Sequence, residues 1–329
     1  MLFKDIRGQD KQISLLRNAI GQGRIAHAFI FHGLDGIGKR SSAMAFAGAL
    51  NCETAGTDPC GACRSCLKIE RGSHPDVIKI EPDGAFIRIK EIRDLQSSMM
   101  FRPSEGRYRV FIILDADRMN STAANALLKT LEEPTGSNIL VLITARLYQL
   151  PLTVLSRCQK IKFNPLRGEE ILGLLVQKFS VDPADASTLA AVAGGSVGKA
   201  VEMKESGFSD RRGEIIDRIH GISTPLDFYP VLDCLGSERD AVIEGLEIMK
   251  MYFRDVLVLG ETGESGKIMN GDRIEIIRCA AERSSKQQVL GSIRIINKAV
   301  RALEQNANRQ LLLEMMMFRL FGANVRAAA

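Results

Sequence analysis

The run Gly33-Leu34-Asp35-Gly36-Ile37-Gly38-Lys39-Arg40-Ser41 lies between the apolar stretch Ala28-Phe29-Ile30-Phe31-His32 and an Ala-rich stretch from Lys39 to Leu50. A short buried strand, a glycine-rich turn and a helix in that order make a phosphate-binding loop. Its backbone N–H groups converge on phosphate oxygens, its Lys reaches the β- and γ-phosphates, and a hydroxyl directly after the Lys ligates Mg²⁺. Gly33, Gly36, Gly38 and Lys39 are the candidate phosphate-binding residues. Arg40 stands where the hydroxyl belongs, and a guanidinium carries no acceptor and stays charged. The loop is retained and its metal chemistry is not, unless a one-residue shift brings Ser41 into the hydroxyl role.

From Met1 to about Asn164, short β-branched or aromatic runs alternate with amphipathic stretches. Val77–Ile80, Tyr108–Leu114 and Ile139–Thr144 read as buried strands, with helix candidates at Lys90–Met99 and Ser121–Glu133 between them. That alternation predicts an open, doubly wound parallel sheet with right-handed crossovers. After Pro165 no strand run is evident. The remainder reads as amphipathic helices broken at Gly194-Gly195, Gly207, Thr224-Pro225 and between Gly260 and Gly271. At 329 residues, two or three domains are expected. The apolar spacing of Ile293, Ile296, Val300, Leu303 and the 311–316 cluster predicts a C-terminal bundle, with the methionines at 315–317 favoured as its own core.

The balance of 44 Lys+Arg against 39 Asp+Glu, net +5, is too mild to mark a dedicated nucleic-acid binder. No basic stripe with interleaved aromatics appears, so direct DNA binding by the isolated chain should be weak. No uninterrupted apolar run of about 18 residues exists, and the N-terminus lacks the apolar core of a signal peptide. No membrane association and a cytoplasmic location are expected.

Four of the seven cysteines, Cys52, Cys60, Cys63 and Cys66, follow the spacing C-x₇-C-x₂-C-x₂-C. Pro59 and Gly61 supply turns that let the thiolates converge, and four soft ligands suit a closed, structural tetrahedral Zn²⁺ site. Reduced free thiols or another soft metal are the alternatives. Cys158, Cys234 and Cys279 have no partner spacing and read as buried thiols. His27 and His74 are expected to serve local hydrogen bonds.

Asp115, at the end of the third strand candidate, is placed to hold a Mg²⁺ shell, or else simply ends the strand. An ATPase of this layout places Glu next to orient water, whereas this chain has Ala116, which cannot polarise water. Asp117 is the one nearby substitute.

The segment Ala123–Pro134, AANALLKTLEEP, resembles the clamp-loader subunits of bacterial DNA polymerase III. Gly8-Gln9, His27–Phe31, His74-Pro75-Asp76 and Ser156-Arg157-Cys158 after Pro151-Leu152-Thr153 extend that resemblance through most of the first 165 residues. It implies an α/β AAA+ domain over 1–165 with a zinc module at about 52–66, a small helical lid over 166–206 and an all-α collar over 207–329. Arg40, Ala116 and Gly198, the last where gamma-like chains carry a phosphate-sensing Arg, depart from the ATP-hydrolysing gamma/tau pattern. They align the chain with the delta-prime branch, for which ATP and Mg²⁺ are not expected to be hydrolysed. The resemblance further implies that Arg157 acts in trans on the γ-phosphate bound by a neighbour. The implied partners are gamma/tau and delta, with the sliding clamp and primer–template DNA as joint substrate. The alternative is an active gamma/tau-like ATPase in which Ser41 and Asp117 restore metal binding and water activation.

Overall fold

A computed structural model describes residues 2–134, 136–305 and 307–328. The chain packs as two compact units, Met1–Leu174 with Ala193–Lys199, and Leu175–Val192 with Ala200–Ala329.

The first unit is built on a five-stranded sheet, all parallel among the described residues, in the order β2-β3-β4-β1-β5. The strands are β1 (Ala28–His32), β2 (Val77–Ile80), β3 (Arg109–Ile113), β4 (Asn138–Thr144) and β5 (Gln159–Lys162). Central β3 and β4 are buried along their whole length, as the apolar runs at 110–113 and 139–143 require. β5 matches none of the strand candidates in the sequence. Only Ile161 of its four residues is buried, and the exposed Gln159, Lys160 and Lys162 give it the polar profile of a protected edge strand.

Helices of this unit are α1 (Asp10–Gly21), α2 (Lys39–Asn51), α3 (Arg64–Glu70), α4 (Ile89–Met99), α5 (Ser121–Glu132) and α6 (Leu152–Leu155). One face of the sheet, with Ile30, Phe111, Ile113, Leu140 and Leu142, packs on Ile92 and Leu95 of α4 and Leu127 and Leu131 of α5. Phe29 meets Phe46 of α2 edge-on at 5.3 Å, and Phe31 meets Phe163 at 5.1 Å. Asn120 caps α5 by accepting the Ala123 N–H at 2.8 Å. Pro134 follows two residues after its end.

His74-Pro75-Asp76 organises the loop before β3. Asp76 is fully buried and accepts the N–H groups of Ser104, Glu105 and Gly106, each at 2.8 Å, and Arg109 Nη2 at 3.0 Å. Arg109 in turn donates to the carbonyls of Ser98, Phe101 and Arg102. Burial alone pushes the Asp76 carboxyl up, but those backbone donors and the guanidinium outweigh it and hold the group down to about 2.

The remaining helices are α7 (Gly168–Phe179), α8 (Pro183–Val192), α9 (Val197–Glu205), α10 (Phe208–His220), α11 (Phe228–Cys234), α12 (Arg239–Thr262), α13 (Ile274–Arg283), α14 (Lys286–Glu304) and α15 (Arg309–Ala328). No strand follows Lys162 among the described residues. α12 runs through Gly260 to Thr262, two residues into the expected break, and is capped by left-handed Gly263. Its fully buried Asp255 accepts the N–H groups of Met269 and Asn270 and the Asn270 amide, and Asn270 Oδ1 accepts Arg212 Nη1 at 2.8 Å. Met316 and Met317 are core residues of α15, while Met315 faces out.

Candidate functional site

The loop between β1 and α2 takes its shape from glycines whose side-chain space is already filled. A Cβ on Gly33 would lie 2.5 Å from the Phe163 carbonyl oxygen, and Gly38 turns into α2 with φ +98°. Lys39, only 5% exposed, donates from Nζ to the carbonyls of Gly33 at 2.5 Å and Leu34 at 2.6 Å and to Asp35 Oδ1 at 3.3 Å. An ammonium has three donors, and all three are engaged within its own loop. Burial lowers the Lys39 pKa, opposed by Asp35, Asp115 and Asp117.

Arg40 reaches Glu81 beyond the end of β2, Nη2 to Oε1 at 3.1 Å. Ser41 shares the α2 face of Met44 and Gly48, toward Pro59, Cys66 and Ile69. Asp115 follows β3 in a left-handed conformation, φ +47°, half exposed, its pKa raised by burial and by Asp35 and Asp117. Ala116 is fully buried. Asp117 accepts Thr144 Oγ1 from the end of β4 at 2.6 Å. No local pattern marks Thr144, because only the β3–β4 pairing brings it beside Asp117.

A second contact closes the loop from the far side. Gly198 N donates to Gly36 O at 2.9 Å, and a Cβ on Gly198 would stand 2.7 Å from Gly36 Cα. A Cβ on Gly36 would lie 2.4 Å from Ser196 Oγ. Neither position accommodates a side chain without moving backbone.

Cys52, at the C-terminus of α2, and Cys60, Cys63 and Cys66 place their Sγ atoms within 4.8 Å of one another. The Cys66–Cys52 and Cys60–Cys66 separations are 3.8 and 4.0 Å. Tetrahedral ligation at a Zn–S length of about 2.3 Å requires sulfurs about 3.8 Å apart, so the set fits that metal. The amides of Cys60, Cys63 and Cys66 point at the sulfurs of Cys52, Cys60 and Cys63. Donors from Ala62 and Cys63 draw Cys60 down to about 6, while burial pushes Cys66 up to about 12.

Arg157, just after α6, is partly exposed. Its Nη2 meets Glu132 Oε1 at the end of α5 at 2.7 Å, and its Nη1 donates to Thr153 O at 3.0 Å and Ser156 Oγ at 3.3 Å. The structure thus joins the end of the LLKTLEEP segment to Ser156-Arg157-Cys158. Cys158 is buried, and burial raises its thiol to about 12. Cys234 and Cys279 are only half buried, short of the burial expected for them. His74 pairs with Ser65 Oγ and the Asp76 N–H as expected, whereas His27 Nε2 is buried and finds no partner among the described residues. No helix among the described residues is long and apolar enough to cross a membrane.

The family model described as "DNA polymerase III, delta subunit" matches residues 8–167, and its C-terminal counterpart matches 206–321. DNA polymerase III subunit delta' of Bacillus subtilis (strain 168) is 32% identical over 95% of this chain and 96% of its own length. The Pseudomonas aeruginosa delta' subunit is 31% identical over 90% and 92%. The B. subtilis tau subunit is 30% identical over 99% of this chain and 62% of its own. Among solved structures, a DNA polymerase III gamma subunit-related protein from Thermotoga maritima covers 97% of this chain and 100% of its own, with 16% identity and a TM-score of 0.48. With this likeness carried along nearly the full length of two delta' subunits, the chain belongs to the DNA polymerase III delta-prime subunit family.

Proposed function

We propose that the chain is a non-hydrolysing AAA+ subunit of the DNA polymerase III clamp loader. It assembles with gamma/tau and delta subunits in the cytoplasm to place the sliding clamp on primed DNA. Residues 1–165 act as the AAA+ domain, 166–206 as a lid and 207–329 as the collar that joins the oligomer. Zinc on Cys52, Cys60, Cys63 and Cys66 ties the end of α2 to α3 and supplies no catalytic chemistry, since four protein ligands close its shell.

The observation that carries this reading is the engagement of Lys39 by Gly33 O, Leu34 O and Asp35 in a loop whose Gly36 carbonyl is already bonded to Gly198. A nucleotide phosphate would have to draw the Lys39 ammonium away from these oxygens. The diversion of Arg40 to Glu81 and the buried methyl of Ala116 support the same conclusion. Ser41, facing the cysteine module, does not favour rescue by a shifted loop.

The chain's own contribution to hydrolysis is then Arg157, offered to the nucleotide of an adjoining gamma/tau subunit. There water attacks the γ-phosphorus as the bond to the β,γ-bridging oxygen breaks, giving ADP and inorganic phosphate with a proton released to solvent. A guanidinium from outside offsets the charge on the transferring group. The test is nucleotide binding and ATP turnover by the isolated chain beside its Arg40→Thr variant. Absent turnover in both supports the reading, and wild-type turnover at the rate of a clamp-loader ATPase overturns it.

A further inference from the structure

Glu132 has no role in the reading above, and its placement is unfavourable for the helix that carries it. It is the last residue of α5, followed by Glu133, so two carboxylates stand at the negative end of the helix dipole, where cations are preferred. Its side chain is 51% exposed, so burial does not account for it. What it does touch is Arg157, 25 residues further along the chain and on a separate element.

The contacts leave two of the five guanidinium donors, the Nε–H and one on Nη2, usable. Glu132 Oε1 takes one donor of Nη2 at 2.7 Å, and Thr153 O and Ser156 Oγ lie on the Nη1 side. A guanidinium has five N–H donors, so this arrangement fixes the plane of the group and still leaves donors for a phosphoryl oxygen. A long, partly exposed Arg without such restraint would spread over several rotamers, and ordering it on binding costs conformational entropy.

We propose that Glu132 is a positioning residue for Arg157, holding its guanidinium in the orientation that a neighbouring subunit's nucleotide requires. The inference rests on the trans role given to Arg157 above. Because both partners are part exposed, the pair contributes little to folding, and removing a carboxylate from a helix C-terminus offsets that small loss.

The experiment is pre-steady-state phosphate release by the assembled clamp loader containing wild-type chain, Glu132→Ala, Glu132→Gln, Arg157→Ala or the Glu132→Ala/Arg157→Ala double variant. Assembly and the thermal midpoint of the isolated chain are measured alongside. Arg157→Ala should remove one site's share of the fast phase. Glu132→Ala should slow that share roughly tenfold with the KM for ATP unchanged, as a displaced reacting group does. Glu132→Gln, which keeps an acceptor oxygen, should recover most of the rate, and the double variant should be no worse than Arg157→Ala. The thermal midpoint should be unchanged in Glu132→Ala. A normal fast phase in Glu132→Ala, beside a diminished one in Arg157→Ala, overturns the positioning role alone. So does a faster phase, which would make the pair a restraint on Arg157. A normal fast phase in Arg157→Ala overturns the trans role itself.

Discussion

The amide of Gly198 donates to the carbonyl of Gly36 at 2.9 Å, with no room at residue 198 for even a methyl group. The two glycines are 162 residues apart in sequence, and their contact fixes the phosphate loop against the start of α9. Gly198→Ala would bring a Cβ to 2.7 Å from Gly36 Cα, so backbone must move. The variant should lose about 1–3 kcal/mol of stability, the usual cost of overpacking, measured by denaturant unfolding. Unchanged stability would mean that the contact yields freely.

Asp76 should dominate the acid sensitivity of the first unit. Its carboxyl is held down to about 2 from an ordinary 3.8, so its contribution is fully present above about pH 4 and is lost as pH falls from 4 toward 2. That contribution is on the order of 2 kcal/mol. Asp76→Asn leaves the Arg109 guanidinium buried without its counter-charge and should cost about 3–5 kcal/mol at neutral pH. The variant should also lose this acid-dependent step. Acid titrations of unfolding free energy for both proteins check the sign and the window.

The cysteine module should carry one zinc per chain by elemental analysis. Cys60→Ser should lower the metal content and the thermal midpoint together, and a chelator should reproduce the midpoint loss in the wild type, because metal-binding energy is folding energy at a structural site. Purified protein with near-zero zinc would contradict the assignment.

How far the sequence discloses this molecule depends on whether a feature is local. The phosphate loop, β1 to β4, α4, α5 and the cysteine cluster each announce themselves within about fifteen residues, and each appears where its pattern predicts. β5 is hidden because an edge strand with a single buried side chain, Ile161, has no apolar run to read. The Thr144–Asp117, Glu132–Arg157, Gly36–Gly198 and Asp255–Asn270–Arg212 contacts are hidden for a different reason. Each joins residues from separate elements, and no local periodicity encodes which elements will meet. The nearest sequence signal was the misplaced acid at the end of α5, beside a Pro that fixes where the helix stops.

On the proposed reading, this chain gives up its own nucleotide chemistry and serves a neighbour's through Arg157. Phosphate release by the assembled clamp loader, compared between wild-type chain and Arg157→Ala at equal degrees of assembly, tests it most directly. Loss of the fast phase belonging to one site, with the rest unchanged, is the expected result. A fast phase of full amplitude and rate in the Arg157→Ala complex would contradict it.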